Sequence, residues 1–362
     1  MQPLLTSLYL HIPFCNSKCG YCAFNSKTNK NHLKEIYMQK LGAYLRHKLG
    51  ILSENHAVAI TSVYIGGGTP SVVESHLYAD VFSEFLPFLQ VGAEISVEAN
   101  PNHLSLEWLR DMRQFGVNRL SLGVQSFNAH KLAFLEREHT CSNTFLAIEN
   151  AQKSGFENIS IDLIYGTPFC NPASLKEELD IATSLPLSHI SAYHLSLDKG
   201  SLFYQKRAQE YQDYQKSLEG EFGGFLSIGH FVAAHLEKSL HYEVSNYGRI
   251  AKHNLNYWAG GNYLGIGAGA VGCIQNIRTS MPSSIEVFLQ QFDEAIEVLD
   301  EKDLELEHLF LGFRSCVGVE MTKIPNKQNL AVLLQEKILE QRGNRVFAKD
   351  YFLGDEIALF VS

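Results

Sequence analysis

The 362-residue chain reads as an α/β protein built on a parallel sheet or barrel, and three features of the sequence say so. Short runs rich in β-branched and aromatic residues alternate with longer stretches whose apolar residues recur at helical spacing. Six such strand-and-helix repeats fit into the first 200 residues. Glycines and isolated polar residues fall where several of those strands end, which is where parallel β/α folds gather their chemistry.

Strands are expected at residues 8–12, 62–65, 94–98, 119–124, 159–164 and 189–195. The first lies in the apolar segment SLYLHI and opens onto a cysteine-rich loop. Beyond it Leu33, Ile36, Tyr37, Leu41 and Tyr44 mark a helix by their spacing, and further helices are expected over 77–88, 106–115, 144–152 and 175–185. Residues 203–240 read as helical and rich in Tyr, Gln and charge. Residues 284–313 read as one long amphipathic region carried by Ile285, Phe288, Leu289, Phe292, Ile296 and Leu299. The end of the chain looks like a small winged-helix-type unit, with a helix at 330–338, a hairpin in QRGNRVFA around Gly343 and a final strand at 358–361. The expected domains are a barrel at 1–200, a helical extension at 201–300 and the winged-helix-like unit at 301–362.

Composition narrows the function classes. At 45% hydrophobic and 19% charged the chain is globular, and no apolar run nears the roughly 18 residues of a membrane span. Residues 1–12 carry no basic n-region and are not expected to be a signal peptide, so a reducing cytoplasmic location follows. A net charge of −9 argues against a nucleic-acid partner, because Lys and Arg carry most phosphate contacts.

Cys15, Cys19 and Cys22 stand in HIPFCNSKCGYCAF as C-x3-C-x2-C, and three thiolates this close call for a metal. A [4Fe–4S] cube held by three cysteines keeps one iron open to a small molecule. Structural zinc is the alternative, but it usually needs a second Cys or His pair downstream, and His32 is the only histidine close behind Cys22. Seven cysteines at irregular spacing do not suggest a disulfide framework, and Cys141, Cys170, Cys273 and Cys316 read as small apolar residues.

The strand exits add to this. Gly66-Gly67-Gly68-Thr69-Pro70 follows the second strand and allows backbone N–H groups to approach a ligand; with no Gly-Lys-Ser/Thr after it, it is not a P-loop. Glu98 ends the third strand, Gln125 the fourth, and Asp162 lies in the fifth. One such residue is usually just solvated, but three at one barrel mouth suggest a site.

HIPFC, C-x-Y-C, GGGTP, SVEANP, LGVQSF, EREH and DLIYGTP occur in that order, and on them the chain resembles the radical S-adenosylmethionine (SAM) family that contains oxygen-independent coproporphyrinogen III oxidase and its heme-chaperone relatives. The resemblance covers almost the whole chain. It implies an open (βα)6 partial barrel, a [4Fe–4S] cluster on Cys15, Cys19 and Cys22 whose open iron takes SAM, and a SAM pocket lined by Tyr9, Tyr21, Gly67, Gly68, Thr69, Glu98, Gln125, Arg137 and Asp162. On their own chemistry, a guanidinium suits the SAM carboxylate and a carboxylate suits its ribose hydroxyls or sulfonium.

Within that family two activities compete. The oxidase would reduce SAM at the cluster and use the resulting radical to abstract hydrogen from a porphyrinogen propionate; the chaperone would bind heme and pass it to acceptor proteins, soluble or membrane-associated. The oxidase pattern has a further cysteine where this chain has Phe24, and a longer lead than the fourteen residues before Cys15. The segment YEVSNYGRIAKHNLNYW resembles the chaperone's, and in it His253 is a candidate heme ligand, with Tyr257 and Trp258 as aromatic faces for the porphyrin. A histidine that merely completes a hydrogen-bonded core is the competing reading. The chain departs from the pattern downstream, where YLGIGAGAVG has Ala268 for a proline and Val271 for a histidine. Its glycines lack the βαβ context of a dinucleotide loop, so a close-packed turn is expected there. For the winged-helix-like unit, the acidic balance favours a lid or docking surface over DNA.

Overall fold

The computed structural model describes residues 3–362; residues 1 and 2, the first of the segment expected not to be a signal peptide, lie outside the described residues. Six parallel strands, β1 (Leu4–Ile12), β2 (Val58–Gly67), β3 (Leu89–Ala99), β4 (Arg119–Gln125), β5 (Ile159–Tyr165) and β6 (His189–His194), stand side by side in chain order. Between them run α1 (Lys34–Asn55), α2 (Ala79–Phe85), α3 (Leu106–Gln114), α4 (Ala129–Phe134), α5 (Cys141–Lys153) and α6 (Pro172–Ser184). All six strands lie where the sequence puts them, with β1, β2 and β3 extended at their amino ends. The sequence reading missed α4, a six-residue helix started by Asn128, whose side chain accepts from the N–H groups of His130 and Lys131.

Strand alternation decides the two faces of the sheet. In β5, Ile159, Ile161 and Leu163 join a large apolar core that includes Leu8, Leu10, Val63, Ile65, Leu120 and Leu122, while Asp162 lines the barrel cavity. The inward positions of the same strands include Ser62, Ser96, Ser121, Ser160 and Ser191, all buried.

Beyond β6 the chain forms α7 (Leu202–Phe222) and α8 (Phe225–His235), then β7 (His241–Glu243) and β8 (Asn246–Gly248), of which β8 pairs antiparallel with β6. After α9 (Lys252–Trp258) comes β9 (Tyr263–Ile266), parallel to β1 in the register Ser7↔Tyr263, and then the antiparallel β10 (Val271–Ile274), β11 (Ile277–Ser280) and β12 (Ala295–Val298). Among the described residues this makes one open sheet of twelve strands ending at β12 and β7.

Three sequence expectations need correcting here. The helical extension is continuously helical only as far as His235, and beyond it six strands alternate with two short helices. YLGIGAGAVG holds strand β9 as well as a turn. A Cβ on Gly265 would lie 2.0 Å from the Val271 carbonyl oxygen, so only glycine allows that approach to β10. Residues 284–313 are not one amphipathic stretch but α10 (Ile285–Gln290), β12 and α11 (Glu301–Phe313), because the apolar residues at helical spacing conceal a period of two at Ile296 and Val298. Asp300 starts α11 by accepting from the Asp303 N–H at 2.9 Å, and Asp300→Ala is expected to cost about 1 kcal/mol in a urea melt.

The C-terminal unit has its own apolar cluster, drawn from Leu309, Phe313, Val319, Leu330, Leu333, Leu339, Val346, Ile357 and Val361. It contains α12 (Lys327–Gln335) and a small sheet of β13 (Val319–Glu320), β14 (Leu339–Arg342) and β15 (Arg345–Ala348), ordered β13-β15-β14. The expected final strand at 358–361 is instead the end of helix α13 (Gly354–Val361). Ile357, Ala358 and Val361 face the core while Leu359 and Phe360 are exposed. That is helical spacing within an apolar run too continuous to show it.

Candidate functional site

A cavity of about 410 Å³ opens at the carboxyl ends of the six parallel strands. The loop after β1 brings Cys15, Cys19, Tyr21 and Cys22 to it, the β2 exit brings Gly67, Gly68 and Thr69, and β3, β4 and β5 bring Glu98, Gln125 and Asp162. Arg137, just after α4, completes the wall. Backbone bonds tie the cysteine loop to the glycine turn: Gly68 N–H donates to Ile12 at 2.8 Å, Thr69 N–H to Phe14 at 2.8 Å, and Cys15 N–H to Lys27 at 3.1 Å.

Each cysteine has a distinct setting. Cys15 Sγ lies 3.4 Å from Thr69 Oγ1, and Cys19 Sγ accepts from Arg137 Nη1 at 3.4 Å. Burial pushes the Cys15 and Cys22 thiols up, so holding them as thiolates needs a cationic partner such as a metal.

The acids are poised by burial. Glu98 accepts from Tyr64 OH at 2.8 Å and from Gly67 N–H at 3.1 Å, yet burial pushes its carboxyl up to about 7. Asp162, 3.4 Å from Ser121 Oγ, is also raised by burial. Arg137 Nη2 donates to Gly123 O at 2.8 Å while its buried Nε has no partner, which leaves a donor for an anionic group. Gln125 adopts a left-handed φ of 64°, which turns the chain at the strand exit.

Two expectations change. Tyr9 does not line the cavity; its hydroxyl lies 2.8 Å from His11 Nδ1, and His11 Nε2 is 2.9 Å from Asn25 O, so Tyr9 supports the cysteine loop from behind. His253 is 1% exposed, and both ring nitrogens are engaged, Nδ1 with Ser62 Oγ and Nε2 with Tyr257 OH, each at 3.0 Å. Burial pushes the imidazole down to about 3, which favours its neutral form within this hydrogen-bonded setting. Tyr257 packs edge-on against Tyr263 at 4.7 Å, and neither it nor Trp258 reaches the cavity, although Asn254 does. The sequence reading missed Tyr64, Arg119, Ser121, Ser191 and Tyr193, which also line it. Their inward parity with Glu98, Asp162 and Gln125 was the available signal.

The Radical SAM superfamily model matches residues 9–182. The chain is 33% identical over 337 residues to the heme chaperone HemW of Bacillus subtilis, covering 89% of this chain and 87% of that one. It is 31% identical over 378 residues to the heme chaperone HemW of Lactococcus lactis, covering 97% and 96%. In fold it is similar to coproporphyrinogen III oxidase (HemN) from Escherichia coli, a radical SAM enzyme, with a TM-score of 0.80 at 21% identity over 100% of this chain and 91% of that one. With the cysteine loop, glycine turn and strand-exit acids gathered on one cavity, the chain belongs to the HemW heme-chaperone family of radical SAM proteins.

Proposed function

We propose that this protein carries a [4Fe–4S] cluster on Cys15, Cys19 and Cys22, binds SAM in the adjoining cavity, and takes up heme for delivery to acceptor proteins in a reducing cytoplasm. The observation that carries the cofactor reading is the convergence of three cysteines, two acids and Arg137 on one cavity. A bound cluster would supply an iron with an open coordination position at low potential. Around it Arg137 offers a guanidinium to a carboxylate, and Glu98 and Asp162 offer carboxylates to an ammonium, a sulfonium or hydroxyls. Relatedness to heme chaperones along nearly the full chain supports heme handling. Among the described residues no helix is long and apolar enough to cross a membrane.

Hemin titration of the anaerobic, reconstituted protein should give a stable Soret band, with no stoichiometric decarboxylation when coproporphyrinogen III is offered and 5′-deoxyadenosine is assayed. Decarboxylation without a heme complex would overturn the chaperone reading in favour of the oxidase. For His253→Ala the expected result is a lower melting temperature with the Soret band retained, since the ring fills and bonds the core. A lost band at unchanged melting temperature would instead make His253 the ligand.

A further inference from the structure

Parallel β/α barrels ordinarily fill their interior with branched aliphatic side chains, but here the layer beneath the cavity is polar. Arg119 lies in that layer. It is 2% exposed, lines the cavity floor, and has no hydrogen-bond partner at Nε or Nη1. Glu94 and Glu98 face it from β3, Asp162 from β5, Tyr64 from β2 and Tyr242 from β7. His189 on β6 and His253 on α9 also face it, and burial holds both neutral. Above it Tyr21, Arg137 and Tyr193 face Asp162, while Tyr9 and Tyr193 face Glu98. Burial raises these tyrosines, so they stay neutral as well.

We propose that Arg119 is a positioning residue whose fixed charge favours the ionised forms of Glu98 and Asp162, so that the cavity accepts a cationic ligand. This rests on the reading that the ligand is SAM, whose ammonium and sulfonium outweigh its carboxylate. Arg119 makes no hydrogen-bonded ion pair with either acid, so its positive field is shared between them. A guanidinium near a buried carboxylate lowers that carboxylate's pKa by about 1–3 units. Burial pushes both acids up, and Arg119 opposes that push on each.

The test is SAM binding by equilibrium dialysis on the full-length, cluster-reconstituted protein between pH 6 and 9, for wild type, Arg119→Met and Arg119→Lys. A carboxyl raised by burial is ionised above its pKa, so wild-type binding should weaken as pH falls through about 7, the Glu98 value. In Arg119→Met the midpoint should move up by about one unit, weakening binding about fivefold at pH 7 with recovery at higher pH, and Arg119→Lys should restore the wild-type midpoint. An unchanged midpoint, or an equal loss at every pH, would overturn the proposal. A wild type that binds no SAM would count against the proposed function alone, so protonation is also read without SAM, from the infrared stretch of the protonated carboxyls assigned with Glu98→Gln and Asp162→Asn. That band should persist to higher pH in Arg119→Met, and in Arg119→Gln if the Met variant does not fold; the same titration as wild type would sink the idea.

Discussion

Cys19→Ala is expected to leave the chain with no retained iron or sulfide after anaerobic reconstitution, where the wild type should hold about four of each. Cys19 is the middle cysteine of its loop, and its sulfur is the one that receives Arg137 Nη1. With Ala there, two protein thiolates would remain for a cube that already leaves one iron open, and two anchors do not hold it. The loop itself should survive. Its backbone is pinned by Cys15 N–H to Lys27 and Thr69 N–H to Phe14, neither of which uses the Cys19 side chain, so far-ultraviolet circular dichroism should not change. Iron and sulfide analysis with visible absorption checks the first expectation. One zinc per chain in the wild type, with no iron, would restore the single-ion reading.

How far the sequence disclosed this molecule follows from the kind of signal each part emits. The barrel was legible because β1–β6 alternate outward apolar residues with inward polar ones, and each is separated from the next by a helical period. Strands β7–β12 were not. They are short, and Ile296 and Val298 sit on an exposed edge where no burial pattern accompanies them. In α13 the run IALFV is apolar throughout, and period two cannot be told from period 3.6 over five such residues. At the site, residues that differ from their surroundings by chemistry were found: the cysteines, Glu98, Arg137 and Asp162. Arg119 passed unnoticed because an arginine at the first position of a strand reads as a solvated end, and only strand parity turns it inward. Tyr9 and His253 show the opposite case. Motif membership marked them for ligand contact, while their hydrogen bonds to His11, Ser62 and Tyr257 give them supporting work inside the core.

Gly67→Ala should destabilise the fold by about 3 kcal/mol and weaken SAM binding by at least about tenfold, for reasons that a second glycine can isolate. Gly67 has φ 117°, a conformation that an L side chain rarely adopts, and a Cβ there would lie 2.5 Å from His11 Cε1. His11 cannot easily yield, because Tyr9 holds one ring nitrogen and Asn25 O the other, and Asn25 Nδ2 in turn donates to Ala268 O and Ser283 O. Moving the ring therefore moves the cysteine loop, and tilting the Gly67 N–H away removes the 3.1 Å bond that it donates to Glu98 Oε2. Gly92 also has a positive φ, 76°, but nothing lies within 4 Å of where its Cβ would stand. Gly92→Ala thus carries the backbone cost alone, about 1 kcal/mol, and leaves the cavity untouched. Urea midpoints and SAM affinities of the two variants separate conformational strain from close approach. If Gly67→Ala proves no worse than Gly92→Ala in both measurements, the contact with His11 does not hold the glycine turn and the cysteine loop together.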